Sequence, residues 1–246
     1  MDQKVNNDVL ALCKETDSLL WSSFESATNM TYPNTATSHL VFPTYSTGSG
    51  NPIRVSEQEA RFAFVEAIVS SDYAYSAETP TRKLYQFSGK KETSAQTDLS
   101  LYDNNIPSIL GIEFKSQGVS LDRVDRSEIT KDIQKLLREP CDGLWFHILE
   151  STYNNTITNL FEVFQSDMLD MYMKYKDDID DKVIIFHICV LKPEFSVYKI
   201  CEVNESSFTA SNLKDFFQFD YCVSKGKLIN TINNNGWNVN LKQASS

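Results

Sequence analysis

The sequence has few glycines and prolines and no long apolar stretch, and each scarcity excludes a class of protein. With 8 Gly and 7 Pro among 246 residues, collagen-like and low-complexity chains are excluded. The longest apolar run, VIIFHICVL at 183–191, is far shorter than the ~20 residues that a membrane-spanning helix needs. The first residues, MDQKVNNDVL, contain no charged segment followed by an apolar one, so we expect neither a secretory signal nor a membrane partner.

Several signatures of metal and nucleotide binding are also missing. The 5 cysteines form no CxxC pair and mostly stand among apolar residues, which indicates reduced thiols in a cytoplasmic protein and argues against zinc. The patterns GxxxxGK(S/T), GxGxxG, GxSxG and HExxH do not occur. We interpret His147 and His187, which lie inside apolar runs, as core histidines with satisfied hydrogen bonds.

Positive charge is scarce overall but not everywhere. The chain has 23 Lys and Arg against 33 Asp and Glu, a net charge of −10, which argues against a large basic surface for nucleic acid. Between residues 81 and 140, however, ten basic residues stand against nine acidic ones. The acidic excess therefore lies outside this segment, and we interpret it as ordinary solvated surface.

The remaining patterns indicate helices and strands in a mixed order. Ser56 with Glu59 three residues later is a capping box, which marks the start of the second helix. Residues 29–55, rich in Thr, Ser, Pro, Asn and Gly, predict an irregular connection. Periodicity and alternation predict helices at 8–28, from Ser56 onward, at 125–138 and at 156–176, and strands at 82–87, 96–102, 109–115, 143–149, 183–191 and 195–203.

This order predicts an α/β fold with a mixed central sheet and flanking helices. We divide the chain into an N-terminal helix and irregular connection (1–55), a core (56–150) and a C-terminal α/β extension of the same domain (151–246). The pattern shows no clean boundary between these segments, and the last forty residues predict little regular structure.

Two neighbouring strands of the core carry two acids and a lysine. Side chains two apart on a strand share a face, so Glu113 and Lys115 point the same way, about 6–7 Å apart. If Leu99 and Ile112 face the core, Asp98 meets these two residues on the other face. Two carboxylates this close repel each other unless a cation lies between them. Without one, we expect removal of either carboxylate to leave the protein no less stable.

A hard divalent cation is the usual compensation for such a pair. Mg²⁺ accepts one or two carboxylates together with water and phosphate oxygens. A lysine beside it can orient an attacking water and offset phosphate charge. The arrangement therefore fits metal-assisted hydrolysis of a phosphodiester. An ExK pattern also occurs by chance on solvent-facing strands, in which case the chain is an ordinary α/β interaction protein.

Asp98, a 14-residue gap and Glu113-Phe114-Lys115 resemble the motif of the PD-(D/E)xK phosphodiesterases, the restriction-endonuclease-like nucleases. The order helix, three-strand meander, helix, strand also resembles the core of that family, although Thr97 replaces the proline that often precedes the aspartate. The resemblance implies a restriction-endonuclease-like core that hydrolyses nucleic acid with Mg²⁺, for which Mn²⁺ can substitute. We expect DNA rather than RNA as the substrate. Asp98 and Glu113 would bind the metal, and Lys115 would position the water.

The family often adds a glutamate from its first core helix. Glu59 and Glu66 lie on one stripe of the predicted helix, and we prefer Glu59 as the third metal ligand because the capped end is expected near the site. The alternative is that Glu59 only caps the helix and that Glu66 is exposed to solvent.

Several further residues are candidate substrate contacts, each with a simpler alternative. Gln117 continues the face of Lys115, where it either contacts a phosphate or ends the strand. Lys131 and Lys135, four residues apart on the following helix, either meet a phosphate backbone or form a solvated helix face. Lys90 and Lys91 at a hairpin tip either reach substrate or serve solubility.

Three functional interpretations follow. The first is a Mg²⁺-dependent nuclease, which would gain positive surface from a protein partner or a second copy of itself. The second is a catalytically inactive protein of the same fold that serves binding or assembly; the intact motif argues against it and the acidic charge argues for it. The third is an accidental motif.

Overall fold

The computed structural model describes residues 3–29, 31, 39–48, 50, 52–87, 91–103, 107–117, 126–152, 155–224 and 227–242. Within these residues the chain forms five α-helices, one short 3-10 helix (Lys176–Asp178) and nine strands. In order the α-helices and strands are α1 Gln3–Thr28, α2 Glu57–Ile68, β1 Ala74–Tyr85, β2 Thr93–Tyr102, β3 Leu110–Gln117, α3 Arg126–Arg138, β4 Asp142–Leu149, α4 Thr156–Tyr175, β5 Lys182–Leu191, β6 Glu194–Val203, α5 Ala210–Phe216, β7 Asp220–Ser224, β8 Lys227–Asn233 and β9 Asn238–Leu241.

Seven strands form one mixed sheet in the order β1-β2-β3-β4-β5-β6-β9, and β7 and β8 form a separate hairpin. Strands β3, β4 and β5 are parallel, while the outer neighbours pair antiparallel. The largely apolar β4 and β5 lie at the centre, as expected for strands buried on both faces. The predicted mixed α/β class with a central sheet and flanking helices is therefore confirmed. The C-terminal segment contributes β5, β6 and β9 to this sheet.

Two apolar layers pack against the two faces of the sheet. Helices α1 and α2 cover the face that presents Leu99, Ile112 and Phe146. Helices α3, α4 and α5 cover the opposite face, where Trp145 and Phe186 lie. None of the helices in the described part of the chain combines the length and apolar character of a membrane-spanning segment.

The predicted helix start at Ser56 is confirmed, because Ser56 and Glu59 form the capping box before α2. Other boundaries differ from those expected. Helix α1 begins at Gln3, and β1 begins at Ala74 rather than at residue 82. The first half of β1 is mostly exposed and polar, so it has no apolar alternation to reveal it; its pairing with β2 defines it. The last forty residues contain α5 and three short strands, which sequence patterns missed.

Buried polar contacts attach helix α1 to the sheet. The fully buried Asp17 lies 2.8 Å from Nε2 of His187 on β5 and accepts a 2.6 Å hydrogen bond from Ser196 Oγ on β6. Trp21 Nε1 donates to the carbonyl of Val190 at 2.8 Å. Because a buried carboxylate without partners is costly, these contacts specify how α1 lies across β5 and β6. His187 is therefore a core histidine paired with Asp17, but it is only half satisfied, because its Nδ1 has no partner among the described residues.

We expect Asp17→Ala to destabilise the protein by about 3 kcal/mol, because it leaves His187 and Ser196 buried without their shared acceptor. The matched control is Ser18→Ala on the exposed side of the same turn, which should change stability by less than about 0.5 kcal/mol. Denaturant unfolding measures both. Equal stability of the two variants would show that the Asp17 contacts do not hold α1.

Candidate functional site

Strands β2 and β3 separate at Asp98. Their backbone pairing joins Leu99 to Ile112 and continues away from Asp98. At Asp98 the side chain replaces the backbone acceptor, because its Oδ2 accepts a 2.8 Å hydrogen bond from the Phe114 N–H. Continued register would place Asp98 opposite Glu113. Leu99 and Ile112 belong to the core under α1 and α2, so the alternation of the two strands is the one that their sequences predict.

Five charged side chains form a chain of alternating sign beside this point. Glu113 Oε2 lies 2.7 Å from Lys135 Nζ, which lies 2.7 Å from Asp132 Oδ1. Asp132 Oδ2 lies 2.6 Å from Lys115 Nζ, and Lys115 Nζ lies 3.3 Å from Glu57 Oε1. The chain links β3 to the first turn of α2 and to the middle of α3. Only its Glu57 end is substantially exposed.

Asp98 has a separate cation from helix α2. Arg61 Nη2 lies 3.0 Å from Asp98 Oδ1, and Arg61 Nη1 lies 3.5 Å from Glu78 Oε1. Glu78 stands between the pairs that flank Asp98 in the β1–β2 register and has a φ of 49°. Positive φ in a residue other than glycine is strained, and such strain concentrates at functional sites. We call the following residues the charged cluster: Glu57, Arg61, Asp98, Glu113, Lys115, Asp132 and Lys135.

The carboxylates keep both lysines of the charged cluster positively charged. Burial alone would lower the pKa of Lys135, but Glu113 and Asp132 outweigh it and the pKa is raised. The pKa of Lys115 is likewise raised against burial, by Asp132, Glu57 and Asp98. Burial, with the nearby charge of Asp132, raises the pKa of Glu113. Anything that brings positive charge to Glu113 therefore favours its ionised form.

Asp98 and Glu113 each have a compensating cation from the protein itself, which the sequence did not predict. Lys135 compensates Glu113, and Arg61 compensates Asp98. Lys135 was predicted to contact phosphate or solvent from the surface of α3, but the structure places its ammonium inside the cluster. A four-carbon stem lets the charge turn inward, where two carboxylates offset the loss of hydration.

Buried polar atoms without partners lie around Lys115. Glu113 Oε1 and both amide atoms of Gln117, on the same strand, have no hydrogen-bond partner within the described ranges, and neither has His147 Nε2. His147 stands beside Lys115 in the β3–β4 register. Trp145 Nε1 donates to His147 Nδ1 at 3.4 Å, so the proton of the neutral ring lies on Nε2. His147 is thus buried but not satisfied. Its Nε2–H and the Gln117 NH₂ group would suit a water or a ligand oxygen, whereas Glu113 Oε1 would suit a water or a cation.

Two of the predicted site residues have other partners. Glu59 accepts from Ser56 N at 2.8 Å and pairs with Arg54 at 2.7 Å, so its carboxylate is engaged at the helix start. Glu66 accepts a 3.0 Å hydrogen bond from the His39 N–H. Glu57 is the acid of α2 that reaches the charged cluster. The capping box places it at the first helical position, a signal that the preference for Glu59 overlooked.

The remaining predicted lysines lie outside the charged cluster. Lys131 pairs with Glu128 at 2.5 Å on the outer face of α3. Lys91 is exposed on the chain before β2, and Lys90 lies outside the described residues. Sequence analysis missed Arg61 and Asp132 as members of the cluster. The spacing of Asp132 and Lys135 on α3 was visible, but which of its charged residues turn inward depends on the packing of the helix on β3.

The charged cluster offers few side chains that could bind a metal ion. Among the described residues, no group of three or more His, Cys, Asp or Glu side chains is arranged to hold a metal ion. Asp98 and Glu113 offer two carboxylates, which is the number Mg²⁺ usually takes from protein when waters and phosphates complete its shell. The unpartnered Glu113 Oε1 is an oxygen that such an ion would satisfy.

Comparison with known proteins identifies no relative: no protein-family model, no curated protein and no solved structure matches this chain. The charged cluster is therefore the feature of the molecule from which a function can be inferred.

Replacing Glu113 tests its role in the fold. We expect Glu113→Ala to destabilise the metal-free protein by about 3 kcal/mol, because it removes one counter-ion of the buried Lys135. This reverses the expectation from the sequence. Glu128→Ala, on the exposed face of α3, should cost less than about 0.5 kcal/mol. Denaturant unfolding in the presence of a chelator compares them, and an unchanged Glu113→Ala midpoint would contradict the prediction.

His147 should make the protein sensitive to acid. Burial, together with the charge of Lys115, lowers the pKa of His147 from 6.5 to about 3. Between these values the unfolded chain binds a proton that the folded protein excludes, so stability falls as the pH falls below 6.5. Between about pH 7 and about pH 5 this contribution amounts to about 2 kcal/mol. His147→Gln should lose that much less stability than wild type; parallel pH profiles in urea unfolding would refute this.

Proposed function

We propose that the protein is a Mg²⁺-dependent nuclease that hydrolyses phosphodiester bonds of nucleic acid, with DNA as the first substrate to test. One observation carries the proposal. Asp98 and Glu113 stand where β2 and β3 separate, Lys115 follows Glu113 on the same strand, and Glu113 Oε1 has no partner in the described part of the chain. A buried acceptor oxygen beside a second carboxylate and a lysine is what a hard cation and a phosphate require.

Asp98 and Glu113 would hold the ion, and Mn²⁺ would substitute for Mg²⁺. When bound, the ion would lower the pKa of a water and offset phosphate charge. Lys115 stays cationic because Asp132 and Glu57 lie at 2.6 and 3.3 Å, so it can donate hydrogen bonds to the attacking water or to a phosphate oxygen. Glu57, and not Glu59, is the glutamate of α2 that lies beside Lys115 in this site.

The acidic composition bears on how substrate is bound. With a net charge of −10, the chain has little excess Lys and Arg to neutralise phosphates. A second copy or a protein partner would supply the additional positive surface. We propose further that the nuclease acts in the cytoplasm as part of such a complex and that its core belongs to the restriction-endonuclease-like fold.

The second candidate is a catalytically inactive protein of the same fold that serves binding or assembly. It is favoured by a specific observation: Lys135 and Arg61 already pair with Glu113 and Asp98. Internal cations would then replace the metal permanently. The two candidates differ in whether these carboxylates ever bind a divalent ion.

Shape-preserving variants separate the two candidates. We expect Asp98→Asn, Glu113→Gln and Lys115→Met each to lower metal-dependent cleavage by at least about 100-fold, because the first two weaken the binding of the ion and the third removes a cation that would offset phosphate charge. Glu128→Gln on the outer face of α3 should cleave like wild type. The assay follows plasmid DNA, single-stranded DNA and RNA with Mg²⁺ and Mn²⁺.

Calorimetric titration with Mn²⁺ accompanies the assay, because it does not depend on knowing the substrate. Saturable binding that disappears in Asp98→Asn/Glu113→Gln is the expected result. If wild type neither binds Mn²⁺ nor cleaves any of the three substrates, the nuclease is rejected in favour of the inactive protein.

A further inference from the structure

The ammonium of Lys135 lies in a cage of three oxygens. Glu113 Oε2 lies 2.7 Å from Nζ, Asp132 Oδ1 lies 2.7 Å away, and the carbonyl of Gln96 accepts at 2.9 Å. The Lys135 side chain is 9% exposed, that of Asp132 7% and that of Glu113 1%. Carboxylate and carbonyl oxygens are the ligands that hard cations take. The protein thus surrounds one of its own charges with the ligands of a metal site.

The location of Lys135 on α3 does not by itself require its ammonium group to be buried. One turn earlier, Lys131 keeps its ammonium at the surface beside Glu128. Lys135 instead crosses to oxygens on β2 and β3, and burial opposes the charge that it carries there. Two carboxylates offset this cost. The ammonium therefore compensates a concentration of negative charge that would otherwise repel itself.

A divalent ion at Glu113 would share a carboxylate with this ammonium. Two positive charges a few ångströms apart repel strongly in a buried site. Glu113 Oε1 is free among the described residues, whereas Oε2 is held by Lys135. Asp132 contacts the same ammonium and would retain it after Glu113 releases it. Lys135 thus has Asp132 as a second counter-ion, and Glu113 has one carboxylate oxygen, Oε1, that could bind a metal ion.

We propose that Lys135 is a tethered cation that occupies part of the metal site and competes with the divalent ion for Glu113. The inference rests on the proposed function, because it concerns the ion that Asp98 and Glu113 would bind, and it adds what regulates that binding. The affinity for metal is set by how readily Lys135 leaves Glu113. Lys135 is accordingly not a contact for substrate phosphate.

Lys135→Met tests the competition, with Lys131→Met as the matched control on the same helix. In Mn²⁺ calorimetry we expect Lys135→Met to bind at least about tenfold more tightly than wild type, because the repelling charge is gone. Without metal its melting temperature should fall, since Glu113 and Asp132 lose their counter-ion, and Mn²⁺ should restore it. Lys131→Met should match wild type in both measurements.

The double variant Glu113→Gln/Lys135→Met assigns the gain to Glu113, and it should lose both the tighter binding and the rescue by Mn²⁺. If Lys135→Met binds Mn²⁺ no more tightly than wild type, the tethered cation is rejected and the metal site stands. If no variant shows binding that depends on Glu113, the metal site and the inference are rejected together.

A measurement on the unmutated cluster keeps the test independent of the folding of Lys135→Met. In protein labelled with ¹⁵N-lysine, the buried ammonium of Lys135 should give a slowly exchanging signal that is absent from Lys135→Arg. We expect Mg²⁺ to shift this signal or to speed its exchange. A signal that does not respond while Mg²⁺ saturates the site would overturn the inference.

Discussion

A buried ion pair between Glu113 on β3 and Lys135 on α3 determines the geometry of the charged cluster. The pair joins the strand to the helix that covers it, and Asp132 extends the same contact to Lys115. At the other end of α3, Arg126 holds the buried Asp167 of α4 at 2.6 Å. Because separating a buried pair leaves an uncompensated charge, α3 cannot slide along β3 without loss of stability. The position of the helix and the charge of the cluster therefore depend on each other.

Both faces of the sheet bury polar groups. On the α1 face, His187 and Ser196 share Asp17, while Nδ1 of His187 has no partner among the described residues. On the α3 face, Glu113, Gln117 and His147 retain atoms without partners in the described residues. Buried polar atoms are normally satisfied, and on this face these exceptions lie on β3 and on the neighbouring β4. They surround Lys115, which stands among them on β3.

The sequence predicted the mixed α/β fold class because strand alternation and helix capping depend on residues that are close in the chain. Alternation placed Asp98 and Glu113 away from the core of Leu99 and Ile112, and the Ser56–Glu59 capping box marked the start of α2. The partners in the cluster could not be predicted in this way. Lys135 meets Glu113 only after α3 has packed on β3, and the flexible stem of a lysine lets the ammonium turn either toward solvent or inward. Arg61 reaches Asp98 across the gap between α2 and β2, a contact that no spacing in the sequence encodes.

The two proposed functions differ in whether Lys135 and Arg61 can move away from Glu113 and Asp98 to admit a metal ion. Each cation that pairs with a motif carboxylate also has a second anion: Asp132 lies 2.7 Å from Lys135, and Glu78 lies 3.5 Å from Arg61. A cation that releases Asp98 or Glu113 is therefore not left unpaired, which lowers the cost of making room for a metal. The strained backbone of Glu78, which stands beside Asp98, is consistent with a site that keeps such an alternative available.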